Sequence, residues 1–206
     1  MSIQNRMLAA GFAIFVWGYP SAEILARSDA NLVAIRWDRE PSSFLGIKFN
    51  VPLKQQLPEC GDDSKRMCWG AAGDPDDMGG AFTSIRNPPD LGFPCYISVF
   101  TVDSKVEAFT VKVPYDNYPA VHQVLVARYG QPTNEYKAGF ETNSGQDYDN
   151  YISTWKGEAV VIELDQRDEY YNQTTFWVSY KPLNDMWLAR KKAADAKSAN
   201  EGASKL

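Results

Sequence analysis

Three features of the sequence predict an α+β fold in which an antiparallel sheet, built from β-hairpin and meander units, packs on one main helix. One helical stretch, Pro114 to Thr133, carries an apolar stripe. Segments that alternate apolar and polar residues lie on both sides of it, and short turn signals join those segments into hairpins. A helix with one apolar stripe has to bury it, and a sheet with one apolar face is the surface that can cover it.

Within the helical stretch, Val121, Val124, Leu125 and Tyr129 recur at helical spacing. Asp116 or Asn117 is expected to cap the start by accepting from free amide groups, Pro119 suits the first turn, and Gly130 with Pro132 ends it.

Taken from the start, residues 1–26 read as an export signal: Arg6 is the positive flank, Met7 to Gly18 the apolar run, and Ala26 the last residue before cleavage, with Ala22 and Ala30 as competing sites. The run is shorter than the roughly 20 residues a membrane span needs, although an uncleaved inner-membrane anchor is the alternative. One domain is expected over 31–182. Asn31 to Trp37 reads as an edge strand or a lead-in, and Ser42 to Glu59 as an extended piece followed by a helical turn near Leu53 to Leu57 that Pro58 stops. Cys60 to Pro94, rich in Gly, Pro and Asp, reads as a long irregular loop. Its Asp74, Asp76 and Asp77 lack the alternating ligands and distal Glu of an EF-hand loop and read as a solvated acidic turn.

Tyr96 to Val102 and Val106 to Val113 then form a hairpin around Asp103, Ser104 and Lys105, with Phe109, Val111 and Val113 on one face. After the helix, Tyr148 to Lys156 and Ala159 to Asp165 make a second hairpin, and Thr174 to Tyr180 adds a strand with Phe176, Val178 and Tyr180 inward. The order of elements suggests a degenerate tandem repeat of a helix-plus-meander unit. Residues 183–206 form a partly helical tail that can bury only Met186, Trp187 and Leu188 and is expected to fray beyond Ala193.

The three cysteines are Cys60, Cys68 and Cys95. Loop-closure entropy gives about 2.6 kcal/mol for a Cys60–Cys68 bridge and about 3.8 for Cys60–Cys95, so energy alone does not choose. Cys60 with Cys68 is the expected pair, because a short polar loop closes easily and Cys95 stands at the start of a strand.

FLGIKFNVPL followed by Cys60, then DSKVEAFTVKV, LVARYGQPT and STWKGEAVVIEL, resemble a group of small uncharacterised exported proteins of Gram-negative bacteria and their mobile elements, over roughly Phe44 to Tyr180. The helix-plus-sheet order is also similar to the β-lactamase inhibitory protein and to small lipoproteins of outer-membrane assembly. The first resemblance implies a fold and an envelope location and brings no catalytic residue, and the second rests on architecture alone.

The charge of −5 argues against nucleic acid as a partner. No GxSxG, HExxH, GxxxxGK[ST] or GxGxxG signature is present, so no catalytic residue, metal or cofactor is assigned. The lone His122 falls between the apolar helix positions and reads as a surface residue. Glu163 with Asp165, or Asp168 with Glu169, are the carboxylate pairs an envelope enzyme acting on glycans would use. The other signal is an excess of aromatics, Tyr136, Tyr148, Tyr151, Tyr170 and Tyr171, with Trp155 and Trp177 on strand faces opposite some of the aliphatic positions. Adjacent Tyr170 and Tyr171 cannot both enter one core, because neighbouring side chains of an extended segment diverge. With Arg167 and Tyr148 they form the expected binding patch. The reading is therefore a periplasmic or secreted, non-catalytic module that binds another protein of the envelope, as an inhibitor or assembly factor, with the glycan-acting enzyme as the alternative.

Overall fold

The computed structural model describes residues 37–70, 72–141, 145, 147–167 and 172–203, with only the backbone of Phe140 and Glu141. The expected signal segment lies outside the described residues, as does all of the lead-in before Trp37.

A small hairpin opens the described chain. Strands β1 (Ser43–Phe44) and β2 (Ile47–Lys48) pair across Leu45 and Gly46, both in the left-handed region at φ 52° and 81°. A single 3-10 turn, Leu53–Gln55, follows. Then come β3 (Cys68–Trp69), β4 (Gly80–Arg86), β5 (Tyr96–Val102) and β6 (Lys105–Pro114), which form an antiparallel meander. The chain turns through a 3-10 segment, Tyr115–Asn117, directly into helix α1 (Tyr118–Tyr129). A second meander, β7 (Asn134–Glu141), β8 (Asp147–Lys156), β9 (Val160–Asp165) and β10 (Gln173–Tyr180), leads to helix α2 (Lys181–Ala203). One eight-stranded sheet results, in the order β3-β4-β5-β6-β10-β9-β8-β7. Each half is a helical turn or helix followed by a four-stranded meander, and the last strands of the two meanders, β6 and β10, meet in the middle. Helix α1 is the crossover that carries the chain from the central β6 to the far edge at β7.

Several expectations are corrected here. The stretch 60–94 is not irregular throughout, since β4 is a full strand of the main sheet. The segment 134–141 is also a strand, β7. No side chain caps α1: Pro114 leads straight into the 3-10 turn, which leaves no extended capping residue. Val121, Leu125 and Tyr129 are buried as expected, whereas Val124 is 40 % exposed, and the half-buried Tyr118 and Val126 complete the face that packs on the core. Trp155 lies on the same face as the aliphatic core, paired across to Ile162, and is fully buried. Helix α2 continues to Ala203, past the point where fraying is expected.

The core lies on one face of the sheet. Over the β6–β10 half it is closed by Phe44 and Phe49, whose rings meet Phe109 at 5.0 and 5.8 Å, with Phe44 also against Phe176 at 6.0 Å. Over the rest it is closed by α1. The last carbonyls of α1 have no partner within the helix, and distant side chains supply one: the indole N–H of Trp37 donates to Tyr129 O and that of Trp155 to Gly130 O, each at 2.7 Å. On the opposite face, α2 docks through its first turns. Trp187 packs edge-on against Phe100 at 5.3 Å and donates to Asp76, while Arg190 makes a two-pronged contact with Asp103 in the β5–β6 turn.

Glu40 clamps the β8–β9 turn from far away in sequence. Its carboxylate accepts from the amides of Glu158, Ala159 and Val160 at 3.0, 2.6 and 2.6 Å, and a Cβ on Gly157 would collide with it. Hydrogen bonds to a charged group contribute about 1.5–3 kcal/mol each, and this partly solvated site recovers some of that through water. Glu40→Ala is expected to lower unfolding free energy by about 2 kcal/mol, read by urea titration with the disulfide intact.

Candidate functional site

The β9–β10 connection begins with Gln166 and Arg167, and both are held by neighbouring elements. Gln166 is latched to β8 in both directions: its amide donates to Tyr151 O at 3.0 Å, and its side-chain oxygen accepts from the Tyr151 amide at 3.3 Å. Its side-chain nitrogen donates to the Tyr115 hydroxyl at 3.2 Å, and its carbonyl accepts from the Thr174 hydroxyl at 2.8 Å. The Arg167 amide donates to Asn150 Oδ1 at 2.8 Å. Asn150 is a buried polar residue of β8, and this bond accounts for its burial. Tyr115 is fixed in turn, since its amide donates to Asn172 O at 3.1 Å.

These anchors place the Arg167 guanidinium between two rings, 3.9 Å from the centroid of Tyr115 and 4.8 Å from that of Tyr148. A planar cation stacked on aromatic faces is attracted by the ring quadrupoles, by about 0.5–2 kcal/mol per ring. The three side chains line an open cleft of about 560 Å3 together with Tyr151, Gln166, Asp147, Asp149 and Gly139. Asp149 is ion-paired with Lys137 of β7 at 2.8 Å, and that carboxylate holds the Lys137 amine above its ordinary range. Tyr151 is 42 % exposed and presents its ring to solvent.

Of the patch expected from sequence, Tyr148 and Arg167 therefore come together, whereas Tyr170 and Tyr171 lie outside the described residues, as do Asp168 and Glu169. The sequence reading did not single out Tyr115, Asp147, Asp149 or Gln166. Tyr115 follows the β6 strand directly, and it meets Arg167 only because β10 pairs with β6, Gln173 against Pro114. Glu163 and Asp165 share a face of β9 and do not line the cleft. Tyr136 is exposed on β7, and Trp177 is half-buried on the face away from the core.

His122 donates to or accepts from Glu135 at 3.1 Å, beside the Trp155 ring, and Glu135 also accepts from the Ser153 hydroxyl at 2.8 Å. Asp76 is occupied as a turn residue, accepting from the amides of Met78 and Gly80. Among the described residues no group of three or more His, Cys, Asp or Glu side chains is placed to hold a metal ion.

Cys60 and Cys68 form a disulfide with their Cα atoms 5.1 Å apart. Cys95 is a free, half-buried thiol whose pKa is pushed up by burial and by Asp90. Among the described residues no helix is long and apolar enough to cross a membrane.

Comparison with known protein families, with curated proteins and with solved structures finds no match to this chain.

Proposed function

We propose that the chain is an exported, non-catalytic module that binds another protein of the envelope, as an inhibitor or assembly factor, and that the cleft around Arg167 is its contact surface. The stacking of Arg167 between Tyr115 and Tyr148 carries this reading. Rings and a guanidinium held in place before binding lose little freedom on contact, and Tyr and Arg are the residue types that dominate interface energetics. Tyr170 and Tyr171 follow Arg167 by three and four positions, and the proposal includes them in the same surface. Export is supported by the Cys60–Cys68 bridge, since such links persist in oxidising compartments.

Of the two carboxylates that line the cleft among the described residues, Asp149 is engaged by Lys137. Glycan hydrolysis needs a pair of carboxylates for its acid and its base or nucleophile, so this engagement favours recognition over the glycan-acting alternative.

The test uses the full chain in its native host. Tyr148→Ala combined with Tyr151→Ala is expected to remove the partner from the set captured out of the envelope. With the purified partner it should weaken binding by about 2 kcal/mol or more, roughly thirtyfold. Undiminished capture by a variant that still melts cooperatively would place the interface elsewhere.

A further inference from the structure

The eight-stranded sheet ends on one side in β7, and among the described residues no strand pairs with its outer edge. Edge strands are normally kept from pairing by shortness, by proline, by bulges or by charged side chains, lysine above all. The opposite edge, β3, follows that pattern with two residues. β7 lacks the first three: it is eight residues long, contains no proline, and keeps unbroken register with β8 from Asn134↔Thr154 to Glu141↔Asp147. Its charges, Glu135, Lys137 and Glu141, are of both signs, so they exclude some partners and registers and favour others.

The side chains of β7 identify an occupant. A twofold axis perpendicular to the sheet would pair two copies of β7 antiparallel and preserve faces, so each register is named by the residue that meets itself. Centring on Lys137 sets like charges against each other, and centring on Ala138 sets Glu135 against Glu141. Centring on Gly139 sets Lys137 against Glu141 around a glycine pair that contributes no side-chain contact. Centring on Tyr136 sets Glu135 against Lys137 of the second copy twice, and puts the two Tyr136 rings directly opposite each other. Glu135 and Lys137 lie on one face of β7, with side chains 45 % and 53 % exposed, and Tyr136 is 47 % exposed on the other. All three side chains have surface to contribute, and the cross-copy pairs would be shared with contacts already made within the chain, Glu135 with Ser153 and His122 and Lys137 with Asp149.

We propose that β7 is a self-association edge: a second copy of this chain pairs with it antiparallel, centred on Tyr136, and joins two eight-stranded sheets into one. The proposal goes beyond the partner-binding reading and does not depend on it.

The experiment is the molar mass of the full chain by light scattering and sedimentation, at concentrations up to about 100 µM. The wild-type chain is expected to form a dimer. Lys137→Glu alone places glutamate against glutamate, Glu135→Lys alone places lysine against lysine, and each is expected to weaken the dimer by about tenfold or more. Mixed in equal amounts, the two variants restore both opposite-charge pairs and are expected to form a heterodimer. A wild-type chain that stays monomeric over the whole range overturns the proposal, and this measurement requires no variant to fold. A wild-type dimer with Lys137→Gln and Lys137→Glu both as dimeric as the parent would overturn the assigned edge and register.

Discussion

Trp155→Ala is expected to cost about 3–5 kcal/mol of folding stability, enough to lower the melting temperature by roughly 6–20 degrees in a domain of this size. Two losses combine. Trp155 has no exposed surface, so truncation opens a cavity in the core where β8 faces α1. The indole also donates to Gly130 O, the carbonyl just past the end of α1, and without that donor the end of the helix loses a hydrogen bond. Trp155→Phe separates the two. It retains most of the ring and removes only the donor, and about 1–3 kcal/mol should be lost if the carbonyl is left without a partner. Urea titration of the three proteins at one pH measures both contributions. Equal stability of Trp155→Phe and the parent would assign the whole effect to packing.

The misplacement of Trp155 in the sequence reading has a physical cause. It alternates with Ser153, and both face the core: Ser153 is completely buried because its hydroxyl finds Glu135. A polar residue satisfied in this way reads as a solvent-facing position, and the face of the whole strand is then assigned wrongly. The strands that were legible have clean contrast. β6 alternates Phe109, Val111 and Val113 with Ala108, Thr110 and Lys112, and it enters through a two-residue turn, Asp103 and Ser104, both at positive φ.

Strands β4 and β7 were not legible for different reasons. β4 opens with Gly80 and Ala81 inside a segment dominated by Gly, Pro and Asp, and it exposes Phe82, so neither composition nor alternation marks it. β7 is an edge with exposed residues on both faces, and without a buried face there is no period to read. The cleft was half legible. Tyr148 and Arg167 stood out as surplus polar aromatics and charge near one turn, whereas Tyr115 reaches them only because β10 pairs with β6 and brings the β6 end beside the start of β10, a tertiary fact with no local signal.

The register of β5 with β6 shifts between Phe100 and Thr101, where Ala108 and Val106 are their partners, so Glu107 is the extra residue of a bulge. It interrupts the alternation of β6 with a run of buried positions from Val106 to Phe109. Glu107 is 3 % exposed, its Oε1 has no hydrogen-bond partner, and burial pushes its carboxyl up from 4.5 to about 7. Below pH 4.5 the group is protonated whether the chain is folded or not, and it adds no pH dependence. Between 4.5 and about 7 the unfolded chain has released the proton that the folded chain retains, so stability falls as pH rises. Above about 7 both states are ionised and the full cost of a buried carboxylate remains, about 3 kcal/mol at roughly 1.4 kcal/mol per pH unit. Glu107→Gln removes the titration while keeping the shape. Its stability relative to the parent is expected to improve by about 3 kcal/mol between pH 4.5 and pH 8, with most of the change between pH 5 and 7. Urea titrations across that range measure the difference directly, and other titrating groups cancel between the two proteins. Parallel stability profiles would mean that Glu107 ionises at its ordinary pH and that the bulge admits solvent to its carboxylate.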